Sequence, residues 1–448
     1  MKSYVKFKWR HSLAYFTIII AAAVICLSIV SCSSGGGGGG NNSKNDDSNE
    51  WDNSIGDTFE YYVNDKSPPS APQTFADITA KQLVEGIRIG WSLGNRFDAY
   101  ESSWNLSTSI STMERYWTSA SSVTTKANID AIKKAGFNAI RIPVTWMKAA
   151  GTAPDYTIRT DWMERVTEVV NYAAKNNMYI IIDTHHDEAR KNDNGSADNT
   201  NTLFKFTAAE KAQGIEAYKK MWGQIAENFK NYNERLVFEG LNEPRIIGAS
   251  NEWNGGTAEV RGIINEYYEA FVATVRASGG NNAKRILMIP THGAHSGQAA
   301  MDGLVIPSDP IGGGNKIIVS IHAYVPNAFA LNFHGTDSWS NSGSNATDIT
   351  TPLDRAYSTF VSKGIPVIMG EFGAVDKANE ETRANWAKFY VTQAKSKGIP
   401  CFWWDNRIHR GNYPSWQTYE SELFGIFESN NNTFPFPKII AALMEASQ

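Results

Sequence analysis

Eight short apolar runs punctuate the chain from residue 80 onward, each rich in β-branched residues and each closing on polar or aromatic side chains. They are 86–95 (GIRIGWSLGN), 138–146 (NAIRIPVTW), 178–186 (MYIIIDTHH), 235–243 (RLVFEGLNE), 285–293 (RILMIPTHG), 316–324 (KIIVSIHAY), 366–373 (PVIMGEFG) and 400–406 (PCFWWDN). Longer amphipathic stretches separate them and read as helices over 125–134, 160–175, 215–229, 263–277, 354–363 and 380–397. The stretch after the fifth run, 297–310, has the weakest helical pattern. Near-continuous apolar strands suit a parallel sheet covered on both faces. Eight strand–helix units in succession predict one α/β domain, a (β/α)8 TIM barrel. The competing architecture is a doubly wound open sheet. Against it, GIRIGWSLGN lacks the Gly-x-Gly-x-x-Gly turn, and no phosphate loop occurs elsewhere.

Barrel active sites lie at the C-terminal ends of the strands, so the residues closing each run are the candidates. The first run gives Trp91 and Asn95, then a loop with Phe97, Tyr100, Trp104, Tyr116 and Trp117. The second gives Arg141, Thr145 and Trp146, and the third His185, His186, Asp187 and Glu188. Asn242 and Glu243 end the fourth, His292 the fifth, His322 and Tyr324 the sixth, Glu371 the seventh, and Trp403, Trp404, Asp405 and Asn406 the eighth. Strand alternation over 236–243 would put Glu239, Leu241 and Glu243 on one face, with Pro244 ending the strand. Two glutamates on separate strand tips, in a cleft rich in Trp, Tyr, His and Asn, fit glycoside hydrolysis. One carboxyl protonates the leaving oxygen while the other attacks the anomeric carbon or activates water. Taken singly, Glu243 fits equally well as a salt-bridged partner of Arg245. Glu239, deeper in the strand, reads as a structural hydrogen-bonding residue. The run 185–188 imitates a metal site, but adjacent strand histidines point in opposite directions. His292 and His295 read as loop or core histidines.

The first 50 residues stand apart. Lys2, Lys6, Lys8 and Arg10 precede an apolar run, 16–30, that is short for a membrane helix. It ends at Ile29–Val30–Ser31–Cys32, which resembles a bacterial lipoprotein signal with Cys32 as the lipidated residue. Residues 1–31 are therefore expected to be a signal peptide and 32–75 a flexible linker and transition. Ordinary secretion is the alternative. Residues 33–50 (SSGGGGGGNNSKNDDSNE) contain no apolar side chain and cannot form a core. The expected location is outside the cytoplasm, lipid-anchored at the outer membrane or cell surface, otherwise periplasmic or secreted. Beyond the leader only Cys401 remains, so the fold has no intramolecular disulfide to draw on. Without the four leader cations, 38 basic residues face 46 acidic ones, a net charge of −8, which argues against nucleic acid. Fourteen Trp and 18 Tyr supply flat surfaces of the kind that stack on sugar rings.

Seven motifs in order complete the picture: GWSLGNRFDA at 90–99, GFNAIRIPVTW at 136–146, IIDTHH at 181–186, FEGLNEPR at 238–245, IHAY at 321–324, GEFG at 370–373 and FWWDN at 402–406. Through them the chain resembles glycoside hydrolase family 5, the retaining cellulase-type barrels, over about 76–445, and its endoglucanase and xyloglucanase branch above all. The resemblance implies Glu243 as general acid/base, Glu371 as nucleophile and Asn242 as holder of the sugar 2-hydroxyl. It implies Arg141 and Tyr324 as partners of the nucleophile, His185 and His322 in the sugar-binding and acid/base shell, and Trp404, rather than Trp403, as the aromatic floor. Asn95 and His186 complete the expected substrate-binding set. The barrel is expected over 76–448. It should act as a monomeric retaining endo-β-1,4-glucanase on cellulose-like chains, xyloglucan or mixed-linkage glucan, without metal or organic cofactor. Its other expected partner is the membrane, through the lipid. A β-mannanase or other β-glycanase of the same barrel is the nearer alternative. A non-catalytic glycan-binding barrel and a metal-dependent hydrolase are the farther ones. The chain departs from the family at Ser92, Arg96 and Phe97, where Asn, Thr and Leu are commoner, and at Arg407, which follows WWDN in place of Gly. These departures are expected at the substrate rim, where Arg96 and Phe97 could close a subsite or touch a side-chain sugar.

Overall fold

A computed structural model describes residues 65–448, apart from 119–120, 188–189, 192–196, 199–202 and 413–421. The expected signal peptide, Cys32, the linker up to residue 64 and Glu188 lie outside the described residues. Eight parallel strands close into a barrel: β1 (Gly90–Leu93), β2 (Ala139–Ile142), β3 (Tyr179–Asp183), β4 (Leu236–Glu239), β5 (Leu287–His295), β6 (Ile317–His322), β7 (Val367–Phe372) and β8 (Cys401–Asp405). Each strand pairs with its sequence neighbours, and β1 pairs with β8.

A first helix, α1 (Ala80–Gly86), precedes β1. Around the barrel run α2 (Lys126–Lys134), α3 (Thr160–Lys175), α4 (Lys211–Phe229), α5 (Ala258–Ala277), α6 (Gly343–Thr359), α7 (Glu380–Lys395) and α8 (Pro437–Ser447). Local chemistry marks several starts. Thr125 and Asn128 exchange side-chain and backbone hydrogen bonds across the first turn of α2, and Thr257 caps α5. The weak stretch after the fifth run holds a short helix, Gln298–Asp302. The expected helix 354–363 instead begins at Gly343 and ends at Thr359, passing through the buried Pro352. Helix α8 had no sequence counterpart; it packs on α7.

Alternation along the strands builds the interior in layers. The lower layer is apolar. Ala139, Ile181, Val237, Met288, Ile318, Ile368 and Phe402 form one cluster with Leu83 and Val84 of α1, which therefore plugs the barrel floor. Burying Leu83 and Val84 is worth about 1.5–3 kcal/mol each. Gly90 leaves room for the Phe402 ring, since a Cβ there would lie 2.2 Å from it. Residues 65–79 are tied to helix α3 and to the segment that leads into β4. Asn171 Nδ2 donates to the carbonyls of Asp65 and Ser67, Asn231 Nδ2 to that of Pro69, and the Ala76 amide to Glu234. Two residues up the strands from the apolar layer, the inward positions change character to Arg141, Asp183 and Glu239, none of them exposed.

Candidate active site

The regular part of β4 stops at Glu239, four residues earlier than alternation over 236–243 requires. Gly240 is the cause. Its carbonyl accepts from Thr184 Oγ1 (2.7 Å), Tyr218 OH (2.8 Å) and Trp222 Nε1 (3.2 Å). A Cβ there would stand 2.8 Å from the Tyr218 hydroxyl oxygen. The chain turns at this point, so Glu239, Leu241 and Glu243 do not share a face. Glu239 points into the barrel, Leu241 joins the main apolar core, and Asn242 and Glu243 reach the mouth.

Arg141 is the hub beneath that mouth. Its Nε donates to Glu239 Oε2 (2.6 Å), Nη1 to Glu371 Oε1 (2.8 Å), and Nη2 to Asp183 Oδ2 (2.7 Å) and Asn242 Oδ1 (2.8 Å). Burial opposes its charge, but the carboxylates of Glu239, Asp183 and Glu371 outweigh it and hold the guanidinium ionised. Glu239 thus takes the structural role expected of it. Tyr324 OH donates to the other oxygen of Glu371 (2.8 Å). His185 Nδ1 donates to Asp183 (2.9 Å), leaving Nε2 to accept from Asn242 Nδ2 (3.2 Å). This chain of bonds fixes the Asn242 amide, oxygen toward Arg141 and nitrogen toward the cleft, with one N–H left for a sugar hydroxyl.

His322 stands between the two mouth carboxylates, its Nδ1 3.0 Å from Glu243 Oε1 and 3.6 Å from Glu371 Oε2. One oxygen of each glutamate and a nitrogen of His322 all lie within 4.8 Å of one another. Such a triad has the donor types of a metal site. Here, however, Arg141 and Tyr324 occupy both oxygens of Glu371, and His322 occupies Glu243.

The three groups share protons. Burial raises Glu371, and the Glu243 charge adds to it, against the pull of His322 and Arg141. Burial would raise Glu243 too, but the His322 hydrogen bond and the Arg245 charge hold it at about 2. Burial disfavours charge on His322, yet Glu371 and Glu243 overcome it and lift its proton affinity. With Glu243 held down and His322 lifted, the proton rests on His322, one hydrogen bond from Glu243. A reaction needing ionised Glu371 and a proton on the His322–Glu243 pair is lost at low pH as Glu371 protonates, above its ordinary 4.5. It is lost at high pH as His322 deprotonates, above its ordinary 6.5. Replacing His322 by Asn removes the reservoir and should move the basic limb of kcat/KM down by about one pH unit. A pH–rate profile checks this, and an unmoved basic limb would refute the shared proton.

The remaining expected residues are placed unequally. Trp404 is half-buried and stacks on His185, rings 5.7 Å apart and 3° from parallel. Trp403 turns outward, packed on Phe372 and Trp386, with Nε1 donating to the Phe424 carbonyl. His186 lies beside His185, ring centres 4.4 Å apart, because β3 has already ended and strand alternation no longer applies. His186 Nδ1 donates to the Asp98 carbonyl, and Trp117 meets the ring edge-on. Asp187 Oδ1 accepts the amides of Trp146 and Met147. Asn95 is 5% exposed and its Nδ2 binds the Trp117 carbonyl, so it holds the first loop. His292 is buried, and burial lowers it to about 4.

The rim expectation for Ser92, Arg96, Phe97 and Arg407 is overturned: all four are buried. Arg96 donates to the Ser122 carbonyl (2.9 Å) and to Ser429 Oγ (3.3 Å), and Phe97 packs on Trp162. The Arg407 guanidinium lies between the Trp91 and Phe427 rings. Asn95 and Arg407 have φ values of +58° and +64°. These left-handed turns immediately after β1 and β8 send the chain back against the barrel wall.

The family model described as Cellulase (glycosyl hydrolase family 5) matches residues 97–410. The chain belongs to glycoside hydrolase family 5. Endoglucanase 1 of Ruminococcus albus is 38% identical over 389 residues, covering 87% of this chain and 86% of that protein. A cellulase/esterase of Acetivibrio thermocellus is 40% identical over 371 residues, or 83% of this chain, which spans only 41% of that protein's length. A solved GH5-4 broad specificity endoglucanase from Ruminococcus champanellensis, with bound cellotriose, is 41% identical with a TM-score of 0.74, covering 83% of this chain and 100% of that one. A GH5 family lichenase from Caldicellulosiruptor sp. F32 is 37% identical, also with a TM-score of 0.74, covering 84% and 98%.

Within this family-5 barrel one central residue escaped the reading of strand ends. Asp183 binds both Arg141 and His185, and burial raises it to about 6. The signal was its parity: Ile181 faces the barrel floor, so Asp183 had to face the interior too.

Proposed function

We propose that this chain is a retaining endo-β-1,4-glucanase acting on β-glucans such as cellulose-like chains, xyloglucan or mixed-linkage glucan. The reading rests on one observation, the closeness of Glu243 and Glu371. Oxygens within 4.8 Å fit the carboxyl spacing of about 5–5.5 Å at which one carboxylate attacks carbon directly, rather than the roughly 6.5–9.5 Å at which a water is placed between. In the first step Glu371 forms a bond to the anomeric carbon and the glycosidic C–O bond breaks. The proton held by His322 and Glu243 passes to the leaving oxygen. Asn242 offers its N–H to the sugar 2-hydroxyl as positive charge builds. Glycosylation then removes the negative charge of Glu371, so Glu243 loses the neighbour that favoured its protonation. It becomes the base that takes a proton from water as the water displaces Glu371.

Arg141 and Tyr324 hold Glu371 in line and ionised, and Trp404 with His185 forms the floor for the sugar. The endoglucanase and lichenase relatives above support a β-glucan substrate. The lipid at Cys32 and an exported, tethered enzyme stay part of this proposal, resting on the leader sequence. The first sugar released from cellohexaose or barley β-glucan should carry the β configuration, read by proton NMR before mutarotation. Hydrolysis should be faster on β-glucan, xyloglucan and carboxymethylcellulose than on mannan, and unchanged by EDTA. Release of the α anomer would remove the double displacement, and preference for mannan would move the chain to the β-mannanase alternative.

A further inference from the structure

Beyond Glu243 an assembly is built around Arg245, whose charge already bears on Glu243. The Arg245 Nη1 donates to the Glu243 carbonyl (2.7 Å) and lies 3.4 Å from Glu243 Oε2. Its Nε donates to Glu252 Oε1 (3.1 Å), and its guanidinium carbon lies 4.3 Å from the centre of the Trp253 ring. The Gly248 amide fixes the other oxygen of Glu252 (2.7 Å). Arg261 Nη1 clamps the carbonyls of Gly255 and Gly256 at 2.6 and 2.9 Å, closing the turn that bears Trp253. Gly293, at φ +61°, donates its amide to the Pro244 carbonyl and leaves room for Arg245 and Trp253 to pack against it.

Trp253 is nevertheless 47% exposed, one of few large apolar side chains at the surface of the described residues. An indole with a guanidinium on one face and water on the other presents a rigid, pre-oriented apolar plane. A single guanidinium separates that plane from the proton donor. The oxygen that Glu243 protonates belongs to the leaving sugar, so this is the leaving side of the cleft.

We propose that Trp253 is the stacking platform for the leaving-side glucosyl unit, and that Arg245 is a positioning residue that Glu252 restrains from holding Glu243 as a carboxylate. This rests on the assignment of Glu243 as proton donor. The Glu252 side chain, bound to Arg245, offsets the field of Arg245 at Glu243, and a sugar covering Trp253 removes the water that would otherwise screen all three. The other titratable groups facing Glu243 are His322 on β6 and Tyr324 just beyond it, Glu371 on β7, His185 after β3 and His295 on β5.

The test compares cellohexaose, which places sugars on the leaving side, with 2,4-dinitrophenyl β-cellobioside, which places none there. Trp253→Ala should lower the ratio of kcat/KM for the first over the second by about ten-fold, chiefly through KM. Trp253→Phe should recover most of it, which separates lost stacking from lost folding. Glu252→Gln should shift the basic limb of the cellohexaose profile to lower pH by about half a unit, and Arg245→Ala to higher pH by a similar amount, with Arg245→Lys in between. An unchanged ratio overturns the platform, and unmoved limbs overturn the coupling. Wild-type rates in Glu243→Gln would instead overturn the catalytic assignment itself, whatever the Trp253 ratio.

Discussion

Replacing Glu371 by Gln should lower sugar release from any β-glucan by roughly 10⁴-fold or more, with the fold intact by circular dichroism. The amide is nearly the same size and still accepts from Tyr324, so the loss isolates the nucleophilic oxygen. Replacing Glu243 by Gln should cost about 10²–10⁴-fold on glucan, the range for losing a positioned acid–base group. It should cost less on 2,4-dinitrophenyl glycosides, whose leaving group departs without a proton. Azide distinguishes the two sites further. Filling the space left in Glu371→Ala, it should give the α-glycosyl azide. In Glu243→Ala it should capture the glycosyl-enzyme and give the β-azide. Wild-type rates in both Gln variants, or the same azide from both Ala variants, would end the two-glutamate mechanism.

The second large effect is expected below the cleft. Arg141→Met should destabilise the protein by about 3–5 kcal/mol, the cost of leaving buried charge without its partner. The midpoint of urea unfolding measures it. Here one cation serves Glu239, Asp183 and Glu371 at 2.6–2.8 Å. Its loss therefore strands three acids, two of which pass to the protonated form at neutral pH, and activity falls with stability. Arg141→Lys should recover only part of both. An ammonium is a point charge and cannot spread donors to three carboxylates and an amide in one plane. A Met variant as stable as wild type would show that the interior acids are neutral at rest and need no cation.

The barrel was legible because its two periods were clean. Apolar runs of strand length alternated with amphipathic stretches of helix length, and the chemistry sat at the run ends. Glu243, Glu371, Asn242, His185, His322, Tyr324 and Trp404 converge on one mouth for that reason. What the sequence hid was the direction of the chain just past the strands. Gly240 breaks β4 because Tyr218, Trp222 and Thr184 crowd its carbonyl from helix α4 and from the loop after β3, a tertiary cause with no local signature. Asn95 is a residue that tolerates the left-handed region, but Arg407 is not; its +64° costs roughly 1–2 kcal/mol, and nothing nearby in the sequence announces it. Arg96, Phe97 and Arg407 were therefore placed at the correct height along the barrel and on the wrong side of its wall. In α6, Pro352 suggests a start that the structure does not use, since the helix runs through it.

The plugged floor has a kinetic meaning. With α1 and its apolar layer beneath Arg141, Glu239 and Asp183, the floor is closed among the described residues, and the polar interior opens at the mouth that receives the glucan. Once a chain lies across that mouth, no proton or water arrives from behind. The hydrolytic water must come in through the space vacated by the departing half of the chain. In this vessel turnover is ordered by traffic: departure of the first product admits the second reactant. A sugar hydroxyl lingering at that threshold is water's direct competitor for the glycosyl group.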